Sequence, residues 1–395
     1  MAVNKHLEHV EDLILLEGRQ GAEKAIKALR SVVNTLSGTG GPSVRITTKW
    51  DGAPAVVAGI DPADGKFFVG TKSVFNKQDP KICKTQSDVQ RLYGGALADK
   101  LSSCLRYLPS VIKTGVLQGD LLFTNDKASK SIKGESYVTF RPNTITYAAP
   151  INSGVGREIS AASLGIVFHT TYSGGSIDTM NATFGVSPSQ FTSGGSVWAQ
   201  TAEYQDVGNV AAMTGSEVAQ VEGALKMAEG SMRQTGQMLN QIQSGGKTLQ
   251  LDTEFKKFFN SYFRGGTNIS PVATAYVEFT RHLGNQYNIA IEKNKTLESQ
   301  ANKAFKFVEA IDYITEHEKQ FKMVIATYQN IIKAKNMLVG KLNQVEALDT
   351  FVETPDGFKV TNQEGFVAIS GGEAVKLVDR LEFSNLNFNV PKNWG

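Results

Sequence analysis

The most promising chemical feature of the sequence is a lysine followed by a carboxylate and a glycine, in Lys49-Trp50-Asp51-Gly52. Val44 and Ile46 alternate with polar residues before it and predict a strand that ends at the lysine. Gly52 and Pro54 then predict a turn. A neutral lysine amine is a nucleophile if burial or neighbouring cations lower its pKa. The alternative is a surface turn with a solvated lysine, because so short a pattern recurs by chance.

Two carboxylates and a second lysine lie in segments that also predict strands. Asp120 interrupts the apolar run 116–123, an unfavourable place for a charge unless it binds something. Glu364 precedes an apolar run that ends at a Gly-Gly turn, and Lys376 follows in the next run. A hairpin there would place Glu364 and Lys376 on adjacent strands. The alternatives are a turn-capping role for Asp120 and a solvated hairpin position for Glu364.

The first half of the chain predicts a β-rich fold with helices before and within it. Apolar residues at helical spacing predict helices over 6–18 and 21–38, with Gly18 as a break, and a largely helical stretch over 86–114. The strands around the lysine turn predict an antiparallel meander. The predicted strands are 44–48, 55–59, 66–73, 116–123, 136–140, 144–148 and 164–172.

The character of the chain changes after about residue 174. The Ser/Thr/Gly-rich stretch 174–200 predicts a loop, and the long segments that follow predict helices. Strand patterns return near the C-terminus. The sequence therefore predicts an α+β protein with N-terminal helices (1–43), a β-rich core in two parts (44–174 and 351–395) and a helical insertion or second domain (175–350). The helices predicted in that block are 215–243, 252–264, 270–292 and 295–347.

Composition narrows the class of protein. The 395 residues include 41 Lys plus Arg and 38 Asp plus Glu, a net charge of +3, so any nucleic-acid contact requires a local basic patch. No run approaches the about 18 apolar residues of a membrane span. Cys83 and Cys104 form neither a disulfide framework nor a metal cluster, which predicts an intracellular protein. The N-terminal His6, His9, Glu11 and Asp12 suggest a metal site, but a solvated polar helix face is the favoured interpretation.

Taken in order, four features resemble the covalent nucleotidyltransferase superfamily of ATP-dependent DNA ligases, RNA ligases and mRNA capping enzymes. They are Lys49-Trp50-Asp51-Gly52, Gly119-Asp120, Glu364-Gly365 and Val375-Lys376-Leu377. The resemblance implies an antiparallel-sheet, ATP-grasp-like ligase core with a large helical insertion. It also implies that Lys49 takes up a nucleotide monophosphate through a phosphoramidate bond, with Asp51 and Gly52 completing the nucleotide-binding motif.

The same resemblance implies roles for three other nucleotide-binding positions. Lys72 matches a basic residue that contacts ribose or phosphate, although it could be an ordinary surface lysine. Asp120 stands where the family has a glutamate. Phe168 matches the aromatic that stacks on the purine, with His169 in place of an aspartate, and it would be a core aromatic in any case.

Metal and phosphate contacts are implied by the last motifs. Glu364 and Asp120 are hard oxygen ligands suited to Mg²⁺ or Mn²⁺. Lys376 matches the lysine that contacts the α-phosphate, and Val378 replaces the second lysine of that motif. Lys72, Lys376 and a bound metal ion are expected to favour the neutral form of Lys49.

The expected function is an ATP-dependent ligase-like enzyme that transfers AMP from Lys49 to a nucleic-acid 5′-phosphate, with RNA favoured over DNA. The alternatives are transfer to an RNA end as a cap or to protein, and a weakened nucleotidyltransferase fold that serves as a phage structural or protein-interaction module. Segments 140–147 and 165–172 resemble ligase-like proteins of tailed phages, which would place the protein in a host cytoplasm. The helical block would hold the acceptor or a protein partner.

Overall fold

The computed structural model describes residues 7–39, 44–203, 212–244, 251–344, 348–354, 357–371 and 373–383. It is a mixed α+β structure, as the sequence predicts. The helices are α1 (Leu13–Ser37), α2 (Gln86–Leu92), α3 (Gly95–Tyr107), α4 (Gly154–Ala161), α5 (Gly215–Gln234), α6 (Met238–Ser244), α7 (Leu251–Arg264), α8 (Val272–Glu292), α9 (Leu297–Glu316) and α10 (Glu318–Leu342).

The strands form three sheets. A six-stranded sheet has the order β10-β8-β4-β2-β3, with β9 also paired to β8, and only its β8–β10 pair is parallel. A five-stranded sheet has the order β12-β11-β7-β6-β5, and a three-stranded sheet the order β1-β13-β14. The strands are β1 (Arg45–Lys49), β2 (Ala55–Ile60), β3 (Phe67–Gly70), β4 (Val116–Phe123), β5 (Ala128–Ile132), β6 (Glu135–Phe140), β7 (Thr146–Pro150), β8 (Leu164–Ser173), β9 (Asn181–Phe184), β10 (Val197–Thr201), β11 (Asp349–Thr354), β12 (Gly357–Val360), β13 (Gly365–Ser370) and β14 (Glu373–Leu377).

The lysine turn connects two sheets rather than two strands of one meander. β1 pairs with β13, whereas β2 pairs with β3 and β4. The backbone N–H of Ala53 donates to the carbonyl of Leu121, and the N–H of Leu121 donates to the carbonyl of Pro54. These bonds hold the segment after Lys49 against β4, so β2 cannot fold back onto β1. The predicted meander through Lys49 is therefore wrong.

Two hairpins agree with the sequence-based prediction. β6 and β7 pair antiparallel around residues 141–145, and β13 pairs antiparallel with β14. The predicted loop over 174–200 is wrong, because it contains β9 and β10. The buried residues Val197, Trp198 and Ala199 pair with β8, and a run this short carries little periodicity.

The helices differ from the prediction at three places. The segment predicted as one helix over 215–243 is two helices, α5 and α6. α1 runs from Leu13 to Ser37 and contains a non-helical residue at the predicted break, Gly18, whose φ of 62° suits glycine. The segment predicted as one helix over 295–347 is two helices, α9 and α10, which meet at His317. No helix of the described part of the chain is long and apolar enough to cross a membrane.

The helical block shares a core with the three-stranded sheet. Phe366 and Ala368 of β13 and Leu377 of β14 belong to the same buried cluster as Leu29 of α1 and Leu338 of α10. In a strand, alternate residues face opposite sides. One face of β1-β13-β14 therefore packs on helices, and the opposite face carries Lys49 and Lys376.

The N-terminal acidic residues lie inside this shared core. Glu11 and Asp12 are at most 1% exposed. Glu11 contacts Lys335 of α10 at 2.8 Å, and Asp12 contacts Arg380 at 3.0 Å. The predicted solvated helix face is wrong here, because these carboxylates are buried ion-pair partners. His6 lies outside the described residues.

Candidate active site

Lys49 ends β1 on the face of the three-stranded sheet that points away from the helices. It stands opposite Gly365, the first residue of β13, and its Nζ forms an ion pair with the carboxylate of Glu364. The two side chains are 25% and 13% exposed, so the pair is partly screened from water but reachable. Two motifs from opposite ends of the chain thus meet at one pair of atoms.

Asp51 anchors the lysine turn to the β6–β7 turn. Its carboxylate accepts hydrogen bonds from Asn143 Nδ2 at 2.7 Å, from the N–H of Thr144 at 2.7 Å and from the N–H of Ile145 at 2.8 Å. Its own N–H donates to the Tyr147 hydroxyl at 2.7 Å. Both oxygens are engaged by protein donors, so the geometry assigns Asp51 to positioning Lys49 rather than to contacting a nucleotide.

Gly52 allows the turn to approach β4 closely. A Cβ atom added at Gly52 would lie 2.5 Å from Cβ of Asp120 and 3.1 Å from the carbonyl oxygen of Leu121. Such contacts are closer than van der Waals packing permits. The glycine of the lysine motif is therefore needed to bring Lys49 and Asp120 to one place.

Asp120 and Lys72 lie at the same end of the six-stranded sheet. Asp120 pairs with Ala55, the first residue of β2. β3 runs antiparallel to β2 and ends at Gly70, which pairs with Val57. Lys72 comes two residues later and therefore lies near the start of β2, at the same end of the sheet. Lys72 is exposed in a short 3₁₀ helix, where its side chain is free to meet a ligand from solvent.

His169 is a close neighbour of the Asp120 carboxylate. Its Nε2 lies 3.7 Å from Oδ1 of Asp120, and its Nδ1 is 2.8 Å from the Thr170 hydroxyl. His169 is thus an ion-pair partner for Asp120 when it is protonated.

Lys376 occupies the same sheet face as Lys49. Thr47 of β1 pairs with Val367, and Val367 pairs with Lys376. Residues two apart on a strand share a face, which places Lys376 diagonally across from Lys49. The N-terminal segment runs beside it, since the N–H of Lys376 donates to the carbonyl of Glu8 at 2.8 Å.

The charges of the site perturb one another. Burial raises the pKa of Glu364 to about 7, against the influence of Lys49. Burial lowers the pKa of Lys376, and the charge of Lys49 lowers it further. Burial also acts to lower the pKa of Lys49, but Glu364, Asp120 and Asp51 outweigh it and raise that pKa above its usual value. The expected lowering of the Lys49 pKa includes the effect of a bound metal ion, so it stays a prediction for the loaded site.

The arrangement has a defined chemical capacity. Three carboxylates (Asp51, Asp120 and Glu364) influence two lysines (Lys49 and Lys376), which leaves one formal negative charge when all are ionised. A carboxyl with a pKa near 7 in contact with an amine suits proton transfer at neutral pH. The site therefore combines a lysine amine, a carboxyl group in contact with it and a second lysine.

The carboxylates suit a metal ion that a ligand brings with it. Within the described ranges no group of three His, Cys, Asp or Glu side chains could hold a metal. Mg²⁺ commonly uses one or two carboxylates and completes its shell with phosphate oxygens and water. Asp120 and Glu364 fit that pattern, because both are oxygen donors beside an excess of negative charge.

Phe168 is not brought to the site. It is fully buried, its ring centroid lies 5.1 Å from that of Phe191, and it packs in the cluster with Val89 of α2 and Leu101 of α3. Asp120 pairs with Val167 of β8. Phe168 is the next residue of that strand, so its side chain points to the opposite face of the sheet. Phe168 is a core residue without an exposed ring face for a base to stack on.

Sequence reasoning missed the supports of the lysine turn. Asn143 and Tyr147 hold Asp51 and its backbone, and Trp50 packs on Tyr147 with ring centroids 5.1 Å apart. The predicted turn at residues 141–143 could have indicated the contact of Asn143, because the side-chain amide of an asparagine in a turn can donate hydrogen bonds to a neighbouring segment. His9 forms an isolated β-bridge with Lys376, and no pattern in the neighbouring sequence predicts that bridge.

The chain belongs to a family of unknown function, DUF6267, whose model matches residues 4–392. That match covers all of the helices and strands described above. No curated protein and no solved structure matches this chain.

Proposed function

We propose that this α+β protein is an ATP-dependent, ligase-like nucleotidyltransferase with a nucleotidyltransferase core. It forms a lysyl-AMP intermediate on Lys49 and transfers AMP to a nucleic-acid 5′-phosphate, with RNA as the favoured acceptor. The observation that supports this most is the contact between Lys49 and Glu364, with Lys376 and Asp120 as electrostatic neighbours. Motifs far apart in the chain thus meet at one lysine, which supports a role for that lysine as the nucleophile.

The first step consumes ATP. The neutral Nζ of Lys49 attacks the α-phosphorus, an N–P bond forms, and the P–O bond to the β-phosphate breaks to release pyrophosphate. Lys49 first loses to solvent the proton that it carries at rest. A second proton leaves the attacking nitrogen as the N–P bond forms, and the Glu364 carboxylate in contact with it is the acceptor. Lys376 lies on the same sheet face and would neutralise charge on the α-phosphate.

A divalent ion that enters with the nucleotide fits this scheme. Asp120 and Glu364 would hold Mg²⁺ or Mn²⁺, which supplies charge neutralisation of the phosphates. Engagement of Glu364 by a cation would weaken its stabilisation of the Lys49 charge. The raised pKa of Lys49 in the protein alone therefore describes a resting state that nucleotide binding must change.

The second step returns the lysine. An oxygen of the acceptor 5′-phosphate attacks the adenylate phosphorus, the N–P bond breaks, and a 5′–5′ phosphoanhydride forms. Lys49 regains its proton. Lys72, exposed at the adjacent sheet end, is placed to contact phosphate of the nucleotide or of the acceptor.

A non-catalytic role is the second candidate. Phe168 is enclosed in the core, Val378 stands in place of a second phosphate-binding lysine, and the pKa of Lys49 is raised. Together these features favour a weakened nucleotidyltransferase fold that acts as a phage structural or protein-interaction module. Transfer to an RNA cap or to protein is the variant of the enzymatic proposal with a different acceptor.

Labelling separates these functions. The protein, freed of bound nucleotide, is incubated with Mg²⁺ and ATP or GTP labelled at the α-phosphate, then denatured and separated. Label from ATP that the Lys49→Ala variant lacks supports the ligase-like proposal, and a preference for GTP supports capping. Absence of label from both nucleotides contradicts the enzymatic proposal. Addition of 5′-phosphorylated RNA or DNA then identifies the acceptor that removes the label.

A further inference from the structure

Helix α9 exposes large apolar side chains that the rest of the described protein leaves uncovered. Leu297, Phe305 and Val308 are 84%, 65% and 54% exposed. Its neighbour α8 adds Val277 and Ile289, at 53% and 44%. Scattered single exposed residues are ordinary, but several on one helical hairpin mark an interaction surface.

The exposed residues of α9 follow the spacing of a helix–helix interface. The apolar seam consists of the exposed Leu297, Ala301, Ala304 and Val308 and the half-buried Ile311. Its members alternate four and three residues apart, the a/d pattern by which one helix packs along another. The buried Ala310 and Ile314 lie on a different face of α9, so the seam is separate from the protein's own core.

An acidic flank runs beside the seam. Glu298, Glu309, Asp312 and Glu316 are exposed on the same side of the helix as Phe305. None of the four carboxylates forms an ion pair with another residue that the structure describes. Charges beside an a/d seam select the partner of a helix pair.

The charge of this flank determines which partner fits. If a second copy of α9 lay antiparallel on the seam, the two acidic flanks would face each other and repel. If it lay parallel, its acidic flank would face the other side of α9, which is already occupied because Phe307 packs there on Tyr287 of α8. Nucleic acid and anionic membranes would be repelled by the same carboxylates. A basic amphipathic helix can pack apolar residues on the seam and place cations opposite the acidic flank.

We propose that α9 is the docking surface for a protein partner that presents an amphipathic helix with Lys or Arg beside its apolar stripe. The partner's apolar residues pack along the seam, and its cations face Glu309 and Asp312. This proposal does not depend on the nucleotidyltransferase chemistry, because none of its residues belongs to the site around Lys49.

Two synthetic helical peptides test the proposal. They share one a/d apolar stripe and carry either Lys or Glu at the flanking positions. The full-length protein is expected to bind the Lys peptide at least about tenfold more tightly than the Glu peptide, with affinity falling as salt rises. The double substitution Phe305→Ser, Val308→Ser is expected to weaken binding at least about tenfold.

Controls keep the outcomes separable. Met227→Ser removes a 59% exposed apolar side chain on α5 and should leave binding unchanged. The charge reversal Glu309→Lys, Asp312→Lys should invert the peptide preference even if the serine variant folds poorly. Equal binding of both peptides, or no effect of either double variant, overturns the proposal. A dimer in sedimentation equilibrium that the serine variant abolishes, or RNA binding that it weakens, assigns the surface to another partner and also overturns it.

Discussion

At the scale of single residues, the proposed chemistry depends on the contact between Lys49 and Glu364, which also sets the resting state of the pair. The carboxylate stabilises the lysine charge, and burial raises the pKa of Glu364 to about 7. The nucleophile is therefore protonated until its partner accepts a proton or turns to another cation. A change at Glu364 should alter both the rate of attack and its dependence on pH.

Glu364→Gln is expected to lower the rate of lysyl-AMP formation about 100-fold or more, since it removes a proton acceptor and a metal ligand. The residual rate should reach its plateau at lower pH than in the wild type. Without the carboxylate, burial lowers the pKa of Lys49 and less alkali is needed to form the neutral amine. Single-turnover adenylylation measured across pH checks both effects.

Glu373→Gln is the matched control, because Glu373 starts the adjacent strand and its side chain is 69% exposed. It should leave the rate and the pH profile unchanged. A Glu364→Gln profile that keeps the wild-type midpoint would contradict the assigned coupling between the two side chains.

Asp51 should matter more for stability than its place in a binding motif suggests. Asp51→Ala leaves the buried N–H groups of Thr144 and Ile145 without their acceptor, at an expected cost of about 3 kcal/mol in the free energy of unfolding. Urea unfolding measures this cost. Asp99→Ala, at an exposed position of α3, should change stability by less than about 0.5 kcal/mol. Equal stability of the two variants would refute the anchoring role.

At the scale of secondary-structure elements, the site depends on the close approach of the lysine turn to β4. Gly52→Ala is expected to separate Lys49 from Asp120, because the new methyl group would meet the Asp120 side chain and the Leu121 carbonyl. Adduct formation should fall by at least about tenfold while the fold is kept. Gly154→Ala, which has open space at the start of α4, is the control, and equal activity of the two variants would count against the geometry.

Local patterns were sufficient to predict some elements of the site. The alternation before Lys49 predicts β1, and the apolar runs around residues 370–372 predict the β13–β14 hairpin that brings Glu364 near Lys376. These elements are determined by short-range periodicity and turn residues. The pairing of β1 with β13 joins segments far apart in sequence, so only the motif resemblance pointed to it.

The misjudged elements share a physical cause, which is that burial depends on tertiary contacts. Phe168 and Val167 are both apolar and both buried, and only the bulged pairing of β8 with β4 decides which of them faces the Asp120 side. β10 is too short for its periodicity to separate it from a loop. The charges of Glu11 and Asp12 resemble a solvated surface until α10 supplies their partners.

At the scale of the whole molecule, the helical block and the site-bearing sheet form one packed unit. Their apolar residues share a buried cluster, and buried ion pairs join residues 11–12 to Lys335 and Arg380. Lys335→Met is expected to cost about 3 kcal/mol or more, because it leaves Glu11 buried without its closest cation. Lys333→Met, at an exposed position of the same helix, should cost little.

Thermal unfolding followed by two signals tests this unity. Far-ultraviolet circular dichroism reports mainly on the helices, whereas Trp50 and Trp198 report on the β-rich part. Both signals should shift together in Lys335→Met. Separate transitions, with the tryptophan signal unchanged, would mean that the helices form an independent domain.

The central claim is that Lys49 carries the nucleotide, and intact-protein mass spectrometry with peptide mapping tests it most directly. After incubation with ATP and Mg²⁺, the wild-type protein should gain the mass of one AMP, and the modified peptide should contain Lys49. Lys359→Ala, at an exposed position of β12, should be modified like the wild type, whereas Lys49→Ala should gain no mass. An adduct that maps elsewhere, or a wild-type protein of unchanged mass at every pH tested, would contradict the account.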